Sequence, residues 1–398
     1  MRRAVSFLLA LTLAAGLLTG CGGSAGSSAP GSEPAGTPAP TATPEPTPEP
    51  YEANVLTGEK KDIDYPEGQR ITAIMVNNIT KARPQKGLSD ADMLFEIKVE
   101  GGITRFMAMY NSFEEVPTVG PVRSARDQFF RLILPWQPIY VHDGQSVVQA
   151  EYIKNYDYHE WNLNNGGNGY RDFDRVNWQG NSYNGGGLSY EHTEYTDAEH
   201  IGAYISENTV DTTRTYNSTY FNFVDYRDPV RTLDKGEDAM QVTVVHSSSY
   251  RTRFLYNESL GQYMMSQFYP QLGDYMDTID ENNERQLAFE NVIVLFTDIH
   301  TYPGHESSDL QYAEYSWGGV GYYCYGGKVE KIRWTKGTDL EVLRLWDYDM
   351  NAELPVNVGR SYVTVVDVDE AINFEYTAAA TNEGPEQSVE ETFVESAD

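Results

Sequence analysis

The sequence predicts a mixed chain, with an α/β N-terminal domain over residues 65–216 followed by a mostly β C-terminal domain over residues 217–370. Two observations carry this reading. In the first region apolar strand-like runs interleave with segments of helical periodicity. In the second, runs of alternating apolar and polar residues follow one another with almost no helical pattern.

The elements follow in order. Ile71–Val76, Met93–Val99 and Ile103–Tyr110 are apolar runs of strand length. After the turn signal Thr118-Val119-Gly120-Pro121, the spacing predicts a helix from Arg123 to Leu134, stopped by Pro135 and Pro138. A strand follows at Ile139–Val141, then a helix over Gln145–Ile153. Trp161 to Tyr190 reads as a long Gly/Asn/Tyr/Trp loop whose aromatics and amides suit sugar stacking, or packing against one another. Thr196-Asp197-Ala198-Glu199 resembles a helix start, with the helix ending near Asn208. In the second region strands are expected at Met240–His246, Arg251–Tyr256, Gln262–Phe268, Asn291–Phe296, Gln311–Tyr325, Lys328–Trp334, Glu341–Leu345 and Ser361–Val366, with Gly326-Gly327 as a hairpin turn.

The ends of the chain read differently. Arg2 and Arg3 precede an apolar run, Ala4 to Leu18, and the run closes on Leu18-Thr19-Gly20-Cys21. Residues 1–20 therefore read as a lipoprotein signal peptide, with Cys21 as the lipidated residue. Each acyl methylene buried in a membrane contributes about 0.8 kcal/mol. The expected site is the extracytoplasmic face of the cell membrane. Residues 21–64 begin with a Pro/Thr/Ser-rich stretch too polar to fold and read as a tether. Residues 371–398 contain no Lys or Arg and read as an acidic tail. Cys324, the other of two cysteines, sits in a strand-like run and reads as a small buried hydrophobe.

A formal net charge of −30 argues against nucleic acid as a partner, because such binding rests on phosphate neutralisation by Lys and Arg. Between Pro66 and Leu134, however, basic and acidic residues nearly balance. A local cationic focus there would attract an anionic ligand. The candidate binding residues are Arg83, Glu96, Glu100, Arg105, Arg123, Arg126 and His142. Guanidinium groups bind phosphate and carboxylate bidentately. On a first helical turn Arg123 and Arg126 would share a face. The competing reading is that the arginines pair internally with Glu96, Glu100 and Asp92. On a strand, the even spacing of Glu96 and Glu100 would put both on one side. The chain contains no Gly-x-Ser-x-Gly, His-Glu-x-x-His or P-loop motif, and nothing calls for a metal or cofactor.

The first region resembles the YerB-like bacterial lipoproteins, a family of unknown function. The matching residues are Met75-Val76-Asn77-Asn78, Lys81-Ala82-Arg83-Pro84-Gln85, Gly87-Leu88-Ser89, Glu96, Val99 to Phe106, Gly120 to Arg126 and Val141-His142-Asp143-Gly144. The second region is similar to that family's C-terminal domain through Asn291-Val292-Ile293-Val294, Gly326-Gly327-Lys328, Trp334 and Gly359. It departs at Gln262–Phe268, where the family carries a Tyr-x-Arg strand and this chain has Met264-Met265. The resemblance implies a two-domain architecture and an envelope location, and brings no activity.

Three functions follow as expectations. One is binding of an anionic envelope ligand, a glycan or a polyprenyl-phosphate precursor. A second is a phosphotransferase or hydrolase acting on such a precursor. The order of strand, Arg83, acid-ended strand and Arg-rich turn resembles the LytR-CpsA-Psr phosphotransferases, and would require Mg²⁺ on acids such as Glu96 or Asp92. The third is a non-catalytic protein scaffold.

Overall fold

The computed structural model describes residues 53–61, 68–165 and 192–379, with the backbone of three two-residue strands between 174 and 187. The signal segment, Cys21, the tether through Pro50 and the acidic residues beyond 380 lie outside the described residues.

The N-terminal region supplies β1 (Thr72–Asn77), β2 (Met93–Lys98), β3 (Thr104–Tyr110), β4 (Ile139–Asp143) and β5 (Asn162–Asn165). Its helices are α1 (Asp127–Ile133), α2 (Val147–Asn155) and α3 (Ala198–Asn208). The C-terminal region supplies β6 (Gln241–Val245), β7 (Arg251–Asn257), β8 (Gln262–Tyr269), β9 (Asp274–Asp277), β10 (Asn291–Thr297), β11 (Gly319–Tyr325), β12 (Lys328–Thr335), β13 (Arg344–Asp347), β14 (Ser361–Asp367) and β15 (Glu375–Thr377). An α/β first part is thus followed by a mostly β second part.

The two regions share one eleven-stranded sheet. Its order is Glu237–Asp238, β12, β11, β10, β14, β2, β3, β1, β4, β5, with β13 paired to β12. The strand that joins the halves is β14, which runs parallel to both β10 and β2. Every residue of β14 is buried, as expected of a strand covered on both faces. Lys98 and Asp367, at matching ends of β2 and β14, close the seam with a 2.6 Å ion pair.

Strand alternation divides the interior in two. Met75, Phe95, Ile97 and Met107 face a core shared with Phe129, Phe130 and Ile133 of α1 and Ile153 of α2. Val76, Leu94, Phe106 and Tyr362 face the other core, shared with Val242, Phe254 and Met265. That second core is covered by a six-stranded sheet of order β9, β8, β7, β6, β15, with Ala288–Phe289 paired to β8.

Several elements differ from the sequence reading. Helix α1 starts at Asp127, and the preceding residue Arg126 is extended, at φ −135° and ψ 143°. The chain before it is held as an extended segment. Arg123 N–H donates to Met75 O at 2.9 Å, and Ala125 N–H to Gly144 O at 3.0 Å. Arg123 and Arg126 therefore do not share a helical turn. Gln311–Tyr325 is two strands, Gln311–Ala313 and β11, broken at Gly318, whose φ is +63°. A Cβ at Gly318 would collide with Trp334 O. β15 lies past residue 370 and pairs with Gln241–Thr243. Asp197 caps α3 by accepting from His200 N–H at 3.0 Å.

Candidate functional site

The candidate residues fall into two groups on opposite faces of the large sheet. Glu96 shares its face with Leu94 and Phe106, whereas Arg105 shares the other with Met107.

On the helix-covered face, Arg105, Arg123, Arg126, Glu100 and His142 gather near the ends of β3 and β4. The strand β2 stops at Lys98, and Glu100 opens a short turn with Gly101 at φ +67°. Glu100 is therefore free of the strand's alternation and meets Arg126 in an ion pair. Arg126 also donates to Ala125 O at 2.7 Å. Arg105 is 4% exposed and donates to Ser124 O. Burial pulls its pKa down to about 9, and the neighbouring Arg126 adds to the effect, while Glu100 opposes it. His142 is fully buried, with Nδ1 2.7 Å from Gly144 O and Nε2 2.7 Å from Asn162 Oδ1. Desolvation lowers its pKa to about 4, so the ring is neutral at physiological pH. A neutral imidazole donates from one nitrogen only. His142 bridges Gly144, just past β4, and Asn162 of β5.

On the other face, Arg83 and Glu96 belong to one buried network. Glu96 Oε1 accepts from Thr104 Oγ1 at 2.7 Å and Asn78 Nδ2 at 3.1 Å. Its Oε2 accepts from Tyr362 at 2.5 Å and Thr252 at 2.9 Å. Hydroxyl and amide groups hold Glu96 in place of an arginine partner. Asn78 is the hub. Its Oδ1 accepts from Arg83 Nε at 3.2 Å, Gln85 Nε2 at 3.1 Å and Gln267 Nε2 at 2.9 Å. Arg83 also donates to Phe268 O at 3.1 Å and lies over the rings of Tyr250 and Tyr269. Burial lowers its pKa, against the pull of Tyr269 and Glu96.

Arg83, Gln85 and Gln267 line an open cleft of about 750 Å³. Pro84, Tyr269, Leu272, Met276 and Ile279 give it a largely apolar wall, to which Thr80, Gln271, Asp277 and Thr278 add polar groups. Leu272 and Met276 are 60% and 47% exposed. Lys81, also exposed, supplies a cation at the mouth. Three lining residues keep a buried oxygen with no partner among the described atoms: Gln85 Oε1, Gln267 Oε1 and Thr278 Oγ1. Buried polar atoms are normally paired, so three in one place mark the cleft out.

Asp92 precedes β2 and Glu96 lies within it, four residues on and about 13 Å away at strand rise. Asp92 is itself held by Asn54 Nδ2 at 2.8 Å and Asn111 N–H at 2.7 Å. Among the described residues no group of three or more His, Cys, Asp or Glu is arranged to hold a metal. Of the aromatic loop, Trp161 packs under Arg70 at 4.1 Å and donates to Asp211 O, and the side chains of residues 166–191 lie outside the described residues. Cys324 is buried, and desolvation raises its thiol pKa.

Residues 56–211 match the protein of unknown function (DUF3048) N-terminal domain, and residues 240–363 match its C-terminal domain. The chain belongs to the DUF3048 family. It is 27% identical over 321 residues to a protein of Bacillus subtilis (strain 168) named "Putative lipoprotein YerB", covering 79% of this chain and 87% of that protein. The crystal structure of YerB from Bacillus subtilis superposes with a TM-score of 0.63 at 24% identity, covering 79% of this chain and 96% of that one. The fold is therefore the one this family uses. Among the described residues no helix is long and apolar enough to cross a membrane.

The sequence singled out Arg83 as a candidate and did not point to most of the residues that line the cleft with it. Gln267, Tyr269, Leu272 and Met276 lie far along the chain and reach Arg83 only through sheet packing. The available signal was the pair of apolar residues Leu272 and Met276 in a turn-rich segment.

Proposed function

We propose that this protein is a lipid-anchored envelope protein, tethered through Cys21 on the extracytoplasmic face, that binds an amphiphilic anionic ligand in the Arg83 cleft. The cleft carries the reading. Its apolar wall suits a hydrocarbon portion, and the Arg83–Lys81 end suits an anionic head. A pocket of this size with few convergent polar groups is typical of small-molecule sites. Of the two envelope ligands expected, the apolar wall favours a polyprenyl phosphate over a bare glycan.

The test uses polyprenyl phosphate presented in nanodiscs, with neutral-lipid nanodiscs as reference. Lys81→Glu and Met276→Asp change exposed positions, so both variants are expected to melt with the parent. Each is expected to weaken binding about fivefold, equivalent to roughly 1 kcal/mol. Equal binding to both kinds of nanodisc, or unchanged affinity in both variants, would sink the reading.

A further inference from the structure

A second site lies on the outer face of the small sheet, on the side of β7 away from Glu96. Thr252 of β7 turns inward and donates to Glu96 at 2.9 Å. Its neighbours Arg251 and Arg253 consequently share the outer face, about 7 Å apart along the strand. They line a groove of about 510 Å³ with Gln241, Thr243, Ser248 and Tyr275.

The two arginines are prepared differently from the rest of this acidic surface. Arg251 lies over the Phe268 ring at 4.8 Å, and Arg253 over the Tyr275 ring at 4.4 Å. Stacking fixes each guanidinium plane and shields one face. Arg253 is 9% exposed. The Nε of both is buried and without a hydrogen-bond partner. Among the described residues neither forms an ion pair, although acids are twice as common as bases in the chain. The nearest carboxylate across β8, Asp277, accepts from Ser266 at 3.0 Å. Arg251 also hydrogen-bonds Tyr275, and two ring-stacked guanidinium groups, each with an unpartnered Nε–H, in one groove suit an anion.

The remaining lining narrows the ligand. Gln241, Thr243, Ser248 and Asn373 exchange hydrogen bonds with hydroxyls, and Tyr275 offers a ring beside them. Glu370 and Glu375 also line the groove, Glu375 directly across from Thr243. They accept from hydroxyl groups and repel dense polyanions, so the groove favours one negative charge amid several hydroxyls. We infer that the Arg251–Arg253 groove binds an anionic sugar, one carrying a single phosphate or carboxylate group. This site is separate from the Arg83 cleft and does not depend on it.

Titration of the full chain, purified in detergent, with glucose 1-phosphate, galacturonate and glucose tests the inference by calorimetry. The two anionic sugars are expected to bind and glucose to bind at least tenfold more weakly. Arg251→Gln with Arg253→Gln is expected to lower affinity at least tenfold. Because Arg253 is buried, that variant can lose stability. Thr243→Glu provides the independent arm. Thr243 pairs directly with Arg253 across β6 and β7, so a new carboxylate there competes for the guanidinium while leaving both arginines in place. The new carboxylate meets Arg253 on one side and Glu375 on the other, so the variant is expected to fold with a melting temperature close to the parent's and to lose anionic-sugar binding tenfold. Lys81→Glu, at the other cleft, is expected to leave this binding unchanged. Equal affinity for glucose, undiminished binding in folded Thr243→Glu, or loss of binding in Lys81→Glu would each overturn the assignment.

Discussion

Glu96 shows how a buried carboxyl group is held by hydroxyl and amide donors, with His246 Nε2 3.9 Å away. Four groups donate to it: Asn78, Thr104, Thr252 and Tyr362. They come from β1's end, β3, β7 and β14, so one side chain ties together both sheets. Replacing it removes the acceptor and leaves the donors buried. Each unsatisfied group costs about 1–3 kcal/mol. Glu96→Ala is expected to destabilise the protein by about 4 kcal/mol or more, and Glu96→Gln by less because one carbonyl oxygen remains. Urea denaturation measures both. A loss below about 1 kcal/mol in the alanine variant would show that the network is not structural.

At the scale of elements, β14 matters most. It lies between β2 of the first region and β10 of the second, bonded to both along its length. It is the last long strand among the described residues. A chain stopped after Arg360 would leave two long buried edges unpaired, and exposed edges of that kind drive aggregation. Such a truncation is expected to give no cooperative melt by circular dichroism, and rapid cleavage under limited proteolysis. A cooperative transition in the truncated chain would contradict the shared-sheet account. The same scale explains the misplaced start of α1. Helical periodicity at Phe129, Phe130, Leu132 and Ile133 is genuine, but Arg123 and Ala125 are claimed by bonds to Met75 O and Gly144 O. Tertiary pairing overrode a local preference.

At the scale of the whole molecule, buried titratable groups set the response to pH, and they oppose one another. His142 has its pKa lowered by burial, from 6.5 to about 4. The unfolded chain therefore takes up this proton first, and stability is lost as pH falls from about 6.5 to about 4. The full loss is roughly 3 kcal/mol. Asp92 has its pKa raised by burial, from 3.8 to about 7. Its native form holds the proton longer, so its contribution is present at low pH and is lost as pH rises through that window. The two partly cancel in the parent protein. His142→Gln removes one of them. Its stability is expected to fall less steeply than the parent's between pH 6.5 and 4, as measured by urea midpoints across that range. Parallel curves would mean that His142 is not held neutral.

The sequence by itself determined the local order of the chain: strands at β1 to β4, helices near α1 to α3, the hairpin at Gly326-Gly327, and the two-part α/β and β composition. Periodicity and turn chemistry act within a few residues, so they are legible without the fold. It also supplied the family, because dense motifs such as Gly120 to Arg126 survive as sequence. Only the tertiary structure decided that β14 inserts between the halves, that Glu96 and Glu100 face different surroundings, and that Arg83 joins Gln267 and Tyr269 in a cleft. Those facts depend on which strands pair across hundreds of residues. The alternation within β2 says that Glu96 has a side, and only the packing of the second sheet says what lies there.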